Sequence, residues 1–178
     1  MKNDGESRSS HAGAPAIYNS GMAGPYAEHV GDRDPVAMMA ETVDVTRALL
    51  SWFTPEQWKR SYAAGKWTAQ QILVHVVQAE LVFGLRIRHA LAEPGYVVQP
   101  FDQDAWVALE GDKVDGPTAL LAFEGIRCMN LALCKSLTRP QRQATFRHPE
   151  RGELRVEDIL VMMAGHEVHH LQQFREIA

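Results

Sequence analysis

The stretch that decides the fold is VEDILVMMAGHEVHHLQQ, residues 156–173 of the 178-residue chain. Its apolar residues recur at three- and four-residue spacing, which predicts an amphipathic helix. Glu157 and Asp158 fall in the first turn, where the helix dipole favours carboxylates. One face of the helix carries Ile159, Met163, His166, His170, Phe174 and Ile177. Two histidines therefore lie on the side that must face a hydrophobic core.

Three further segments have the spacing and the capping residues of long helices. Asp34 is an N-cap candidate, with Pro35 at the first helical position, where its missing N–H costs nothing. Thr68 and Gln71 have the spacing of a capping box. The long helices are predicted over residues 34–52, 68–91, 117–137 and from 156 onward, with a short helix over 101–110 and a turn or small hairpin over 145–155. This order predicts an all-α four-helix bundle.

Length and composition are those of one soluble globular domain. With 46% hydrophobic and 22% charged residues, the chain can bury a core without disulfides. Residues 1–33 are rich in glycine, serine, alanine and proline, so we expect a flexible, largely irregular N-terminal tail before a bundle over 34–178. The net charge of −4 offers no basic footprint for nucleic acid or for an anionic membrane.

The sequence lacks the usual signals of membrane insertion and secretion. Its apolar stretches fall short of the roughly 20 residues that span a bilayer, and its first residues contain no apolar segment of a signal peptide. Cys128 and Cys134 are too few for a disulfide framework, and they are not spaced as CxxC. We expect a cytoplasmic protein in which both cysteines are reduced core residues.

The histidines of the last helix predict a metal site. His166 and His170 are four residues apart, so on a helix their Cβ atoms lie about 6 Å apart and both imidazoles can bind one divalent ion. His169 lies on the far side of His166, and we expect it at the edge of such a site. A third ligand is expected from His75, on the apolar side of the second helix. The alternative is that these are ordinary histidines on partly buried faces.

The string HEVHH also matches the zinc-protease pattern H-E-x-x-H at His166, Glu167 and His170, in which the glutamate is the general base. We discount this match because eight residues follow His170 and the metzincin continuation fails at Gln173 and Glu176. A di-iron carboxylate site would need a second E-x-x-H motif, and the second helix does not offer one.

Other polar residues predict weaker features. Glu124 and Arg127 are three residues apart on the third long helix and could pair, although a solvated face explains Glu124 equally well. Gln173 and His169 are expected only at the rim of the metal site. Cys134 is the cysteine nearer to the apolar side of its helix, but neither cysteine is well placed as a fourth ligand. We therefore expect three histidines and an exchangeable water around the ion.

Three segments together carry a family resemblance. They are GKWTAQQILVHVVQAE at 65–80, FDQDAW at 101–106 and RGELRVEDILVMMAGHEVHHLQQ at 151–173. In this order they resemble the DinB/YfiT-like superfamily of DinB-like metal-dependent enzymes, over about residues 26–178. The resemblance implies a four-helix bundle in which His75, His166 and His170 hold one divalent metal ion. One departure is Arg155, where the family pattern leads us to expect a threonine N-cap.

The resemblance also implies a class of function. Members are commonly homodimers, and several are metal-dependent hydrolases or low-molecular-weight-thiol transferases, including a thiol-dependent maleylpyruvate isomerase branch. We therefore expect a hydrolase or thiol S-transferase that acts on a small molecule, in the second case with a low-molecular-weight thiol as cosubstrate. One zinc or nickel ion per chain would activate a bound water or hold a thiol as thiolate. The alternative is a non-catalytic dimeric metal- or ligand-binding bundle, and the sequence identifies no catalytic base.

The second long helix has a second apolar side, made of Val74, Val77, Leu81 and Leu85. One bundle cannot easily cover this side as well as the histidine side, which predicts a homodimer with this helix at a two-fold interface. The alternative is that the loop over residues 93–115 folds back over it within one chain.

Overall fold

The computed structural model describes residue 24 and residues 26–178. Most of the predicted tail over 1–33 lies outside these residues. A 3-10 turn, Ala27–His29, comes first in the continuous part. The elements after it are α1 (Pro35–Leu50), α2 (Pro55–Trp58), α3 (Ala69–Ala92), α4 (Gln103–Glu110), α5 (Gly116–Ser136), α6 (Arg139–Arg142), β1 (Thr145–His148), β2 (Gly152–Arg155) and α7 (Val156–Ile177). The predicted long helices, the short helix and the hairpin are confirmed.

The side chains predicted to cap the helices do so. Asp34 accepts a hydrogen bond from a backbone N–H of the first turn of α1 at 2.9 Å. Gln71 N donates to Thr68 Oγ1 at 3.3 Å and Thr68 N donates to Gln71 Oε1 at 3.0 Å, which completes the capping box of α3. Arg155 precedes α7, and its backbone N donates to Asp158 Oδ2 at 2.8 Å. Asp158 thus provides one half of a capping box, and the side chain of Arg155 makes no cap in place of the expected threonine.

Two clusters of buried hydrophobic residues lie at opposite ends of the four long helices. The first core contains the beginnings of α1 and α7 and the ends of α3 and α5. The second core contains the end of α1, the end of α7 and the beginnings of α3 and α5. Consequently α1 and α7 run in one direction, and α3 and α5 run in the other.

The long helices form a ring in which α3 packs between α5 and α7, and α1 packs between α7 and α5. The chain therefore crosses the bundle diagonally twice, from α1 to α3 and from α5 to α7. The second crossing contains the antiparallel hairpin of β1 and β2, in which Phe146 pairs with Leu154. Backbone hydrogen bonds of 2.9 Å from Val98 N to Arg147 O and from Arg147 N to Tyr96 O fasten the loop after α3 to this hairpin.

The second apolar side of α3 is covered over only part of its length. Val74 is buried, Val77 is half-buried, and α4 packs against α3 within the same chain. Leu81 and Leu85 remain 49% and 54% exposed. Val74 and Val77 pack in the second core, so the alternative of a loop that folds back, here through α4, applies only to the first half of the helix. No helix in the described part of the chain is both long enough and apolar enough to cross a membrane.

Candidate metal centre

The structure brings the three predicted histidines together between α3 and α7. His75 projects from α3, while His166 and His170 project from successive turns of α7. These helices run antiparallel and pack against each other, so one turn of α3 faces one turn of α7. The side chains are almost fully buried, with exposed fractions of 2%, 7% and 5% in chain order.

The ring nitrogens of the three histidines converge on one point. His166 Nε2 lies 2.9 Å from His75 Nε2 and 3.0 Å from His170 Nε2. One ligand atom from each residue lies within 4.8 Å of the other two. Ligand nitrogens around a tetrahedral zinc ion, with bonds of 2.0–2.1 Å, are about 3.3 Å apart. A slight opening of the cluster would therefore accommodate a divalent ion, and imidazole is a donor that suits zinc and nickel.

Gln173 fixes the tautomer of His170. Gln173 Oε1 lies 2.8 Å from His170 Nδ1, and an amide oxygen can only accept, so Nδ1 carries the proton. His170 Nε2 then has the free lone pair that metal ligation requires. On its other side, Gln173 Nε2 donates to His169 Nε2 at 3.1 Å. Gln173 is therefore more than a rim residue, because it holds a candidate ligand, while His169 stands one contact further out.

His75 is held by packing instead. Its Nδ1 atom is buried and has no hydrogen-bond partner among the described residues. The Trp67 ring lies 5.0 Å from the His75 ring, and the Phe101 ring is stacked on it at 6.5 Å, both measured between centroids. Phe101 belongs to the FDQDAW segment, which leads into α4, so this segment contributes directly to the site.

Burial keeps the candidate ligands neutral. Burial, with a smaller contribution from His169, lowers the pKa of His75 to about 4. Burial also holds the pKa values of His166 and His170 well below the usual value, and neighbouring histidines act in the same direction. At neutral pH the three imidazoles are therefore in the uncharged form that binds a metal.

A second buried polar cluster, which we call the charged network, lies beside the histidines and joins all four long helices. Arg127 Nη2 donates to Glu80 Oε1 at 2.7 Å, and Arg127 Nη1 donates to Glu167 Oε2. Asn130 Nδ2 donates to Glu80 Oε2 at 3.0 Å. Within this network, among the described residues, Arg127 Nε alone has no partner.

Sequence reasoning missed this network. Of the two alternatives for Glu124, pairing with Arg127 is wrong, because Glu124 Oε1 accepts from Arg47 Nε at 2.7 Å on the surface. Arg127 instead turns into the bundle toward α3 and α7. One signal was available: Glu80 and Arg127 lie among apolar residues of their helices, and a buried charge requires a partner. The sequence did not indicate which partners they have.

Glu167 belongs to the charged network and not to the histidine cluster. Thr42 Oγ1 donates to Glu167 Oε2 at 2.5 Å and Thr46 Oγ1 donates to Oε1 at 3.0 Å, in addition to the contact with Arg127. Burial raises the pKa of this carboxyl, while Arg127 and Thr42 oppose the shift. Both carboxylate oxygens are thus engaged on the side of α1 and α5, which agrees with discounting a zinc-protease general base.

The two cysteines lie apart from the histidines. Cys128 is exposed, and Cys134 is buried in the first core, where burial raises the pKa of its thiol to about 11. Among the described residues, the group with metal-ligand spacing comprises the three histidines and contains no cysteine or carboxylate.

A ring of four long helices that encloses three converging histidines defines the class, an all-α bundle with a candidate metal centre. The family model of the DinB superfamily matches residues 38–174, and the chain belongs to this superfamily.

Curated relatives of this chain carry the name "Putative metal-dependent hydrolase". One, from Oceanobacillus iheyensis, is 28% identical over 116 residues, which are 65% of this chain and 67% of that protein. Another, from Bacillus cereus, is 29% identical over 109 residues, which are 61% of this chain and 63% of that protein. The matched part of the chain thus spans 63% to 67% of the length of these two relatives.

Solved structures share the fold. YfiT from Bacillus subtilis, described as a probable metal-dependent hydrolase with an unusual four-helix bundle topology, has a TM-score of 0.75 and 23% identity, over 80% of this chain and 83% of that one. The mycothiol-dependent maleylpyruvate isomerase has a TM-score of 0.66 and 12% identity, over 79% of this chain and 59% of that one. At these identities the likeness concerns the fold.

Proposed function

We propose that this protein is a metal-dependent enzyme that acts on a small molecule, as a hydrolase or as a low-molecular-weight-thiol S-transferase. His75, His166 and His170 would hold one divalent ion, zinc or nickel, per chain. The observation that carries the proposal is the convergence of three buried Nε2 atoms, with separations of 2.9 and 3.0 Å along the cluster. The names of the relatives support a hydrolase, and the maleylpyruvate isomerase fold supports thiol chemistry.

The donor set favours catalysis over a structural role. A structural zinc site is closed by four protein ligands, whereas catalytic sites have three and keep a position open. In the described part of the chain, no cysteine or carboxylate joins the three histidines. A divalent ion held there would supply a Lewis acid that makes a water or a thiol nucleophilic near neutral pH.

The residues around the cluster have their own roles in this proposal. Gln173 keeps His170 in the tautomer that leaves Nε2 free, through the 2.8 Å contact with Nδ1. Trp67 and Phe101 pack against His75 and exclude water from that side. A dry site strengthens the electrostatic interactions within it.

Metal analysis of protein purified without a histidine tag tests the ligand set. We expect about one divalent ion per chain, and we expect His75→Ala and His170→Ala each to weaken metal affinity by more than about a hundredfold, beyond the usual effect of losing an outer-shell partner. His169→Ala is the matched control, since it removes a neighbouring imidazole that is one contact further out. Equal loss in all three variants, or in none, would contradict the assignment.

Turnover distinguishes an enzyme from the alternative, a non-catalytic dimeric bundle that binds a metal or another ligand. Metal-loaded and metal-free protein are each offered a model ester, and separately a low-molecular-weight thiol with a small electrophile. Consumption that depends on the metal and is abolished by His170→Ala supports the enzyme. Tight metal binding without any consumption supports the alternative. The proposed compartment is the cytoplasm, where Cys128 and Cys134 would stay reduced.

We further propose that the protein is a homodimer in which α3 lies at the interface. Leu81 and Leu85 are half exposed on the part of α3 that α4 leaves uncovered, and Trp106 on α4 is 39% exposed. Leu81→Glu would place a charge in this contact and should yield monomers or insoluble protein, as measured by sedimentation. Leu121→Glu is a control, because Leu121 is an exposed leucine on α5. If Leu81→Glu sediments like the unaltered protein, the interface lies elsewhere.

A further inference from the structure

The segment before α1, residues 26–30, which we call the strap, packs on α7. Its middle forms the 3-10 turn Ala27–His29, and Val30 is buried in the first core. Gly31 then turns the chain toward α1 with a φ of 57°, a conformation that favours glycine. The strap precedes residues 38–174, the part of the chain that the superfamily model matches.

Gly165 of α7 provides the contact surface for the strap. A Cβ atom on Gly165 would lie 2.2 Å from the backbone oxygen of Tyr26 and 2.8 Å from its Cβ. Since real Cβ atoms do not approach so closely, any larger residue at this position must displace the strap. The Cβ position of Gly125 on α5, by contrast, faces open space. The absence of a side chain at Gly165 therefore permits a specific backbone contact.

This contact places the strap against the candidate metal centre. The Tyr26 ring lies 5.3 Å from the His166 ring, edge to face, and 5.3 Å from the His169 ring. His29 of the strap lies 6.0 Å from His169. Phe83 is a further aromatic neighbour of His166, at 6.2 Å. The strap thus forms one of the aromatic walls around the histidines.

The walls leave little open surface. His75, His166 and His170 are 2%, 7% and 5% exposed, so a molecule that reaches their ring nitrogens must pass the aromatic side chains that cover them. We propose that the strap limits access to the three-histidine centre and that Tyr26 sets the size of the molecule accepted there. The substrate class is a small molecule whose reacting end is narrow, since a bulky group beside His166 meets the Tyr26 ring. The size limit on the substrate rests on the proposed function. The covering of His166 by the strap can be tested without metal.

Carbethoxylation by diethyl pyrocarbonate measures access to each imidazole in the metal-free full chain, with mass spectrometry as the readout. His148 in β1 is 6% exposed and serves as an internal reference for general unfolding. We expect Tyr26→Ala and Gly165→Ala to raise the modification of His166 relative to His148 by about tenfold, as the local closed state is lost.

Two control variants match these changes. Gly125→Ala is the same substitution in a helix where nothing is displaced, and Tyr26→Phe keeps the ring. Both should leave the His166 to His148 ratio unchanged. An unchanged ratio in Tyr26→Ala and Gly165→Ala overturns the proposal. A parallel rise at His148 in both variants also overturns it, because the strap would then support the fold and not cover the centre.

The size limit is tested on the cobalt-loaded protein, with imidazole and 4-phenylimidazole as probes and visible absorption as the readout. Tyr26→Ala should raise the affinity for 4-phenylimidazole relative to imidazole by at least about tenfold, the scale of apolar size discrimination in a pocket. An unchanged or lower ratio overturns the size limit. If the unaltered protein does not bind cobalt, the proposed metal centre is contradicted. Carbethoxylation of the metal-free chain still tests whether the strap covers His166.

Discussion

His166 and Glu167 are neighbours on α7, yet their side chains enter two buried polar clusters of opposite character. Glu167 enters the charged network, where both of its carboxylate oxygens accept hydrogen bonds, from Thr42, Thr46 and Arg127. His166 enters the histidine cluster, where its Nε2 meets two other imidazole nitrogens at 2.9 and 3.0 Å.

The difference shows how a buried polar cluster reveals its role. In the charged network every carboxylate oxygen accepts a hydrogen bond from within the chain, and Arg127 Nε is the one buried donor left over among the described residues. In the histidine cluster three imidazole nitrogens converge, and burial keeps the imidazoles uncharged, with at most one N–H on each ring. The first arrangement is paired within the chain, whereas the second offers uncharged nitrogen donors to an electron-pair acceptor such as a metal ion.

The strongest way to break the charged network is Arg127→Met. It leaves Glu80 and Glu167 buried without their cation, and we expect the free energy of unfolding to fall by about 3–5 kcal/mol. Urea unfolding of the metal-free protein measures this loss.

A variant without any charge in the network separates the cost of an unpaired charge from the cost of lost packing. The variant combines Arg127→Met with Glu80→Gln and Glu167→Gln. The amide of Gln at position 167 can still accept from Thr42, and both new amides have N–H donors. This triple variant should be more stable than Arg127→Met alone. If the triple variant is less stable than Arg127→Met, the hydrogen bonds of the carboxylates stabilise the fold more than their unpaired charges destabilise it.

Acidification acts on the histidine cluster. Burial lowers the folded-state pKa of His75 to about 4, below the value of about 6.5 for an unfolded histidine. The unfolded state therefore binds more protons between these values, so stability is complete above about pH 6.5 and is lost as the pH falls toward 4. We expect urea unfolding of the metal-free protein to show a loss of about 1.4 kcal/mol per pH unit from His75 alone.

His75→Leu provides the comparison for the pH effect. It removes the titrating group and keeps an apolar side chain between Trp67 and Phe101, so its stability should depend less steeply on pH in the same window. Equal slopes in both proteins would mean that His75 does not titrate differently in the folded and unfolded states.

The smallest expected effect concerns the tautomer of His170. Gln173→Leu removes the acceptor of the His170 Nδ1 proton, and metal affinity should fall by about tenfold, in the range typical of outer-shell partners. Competition with a chelator measures the affinity. Gln173→Glu retains an acceptor and should bind the metal at least as well as Gln173→Leu. Unchanged affinity in Gln173→Leu would show that packing alone orients His170.

Much of the fold follows from local patterns in the sequence. The capping residues Asp34 and Thr68 begin α1 and α3 as predicted, and helical spacing of apolar residues sets their extent. The four-residue spacing of His166 and His170 places both rings on one side of α7. These features depend on neighbours within a turn or two of helix, so the sequence carries them directly.

The partners of the charged residues depended on the tertiary structure. Arg127 is separated from Glu80 by 47 positions and from Glu167 by 40. The three side chains meet because the chain crosses the bundle diagonally twice. The contact between Tyr26 and Gly165 likewise joins the first described residues to the last helix. Sequence by itself determined the helices and the three candidate metal ligands. Only the packing of the helices decided which buried groups pair, because contacts across a bundle have no local periodicity.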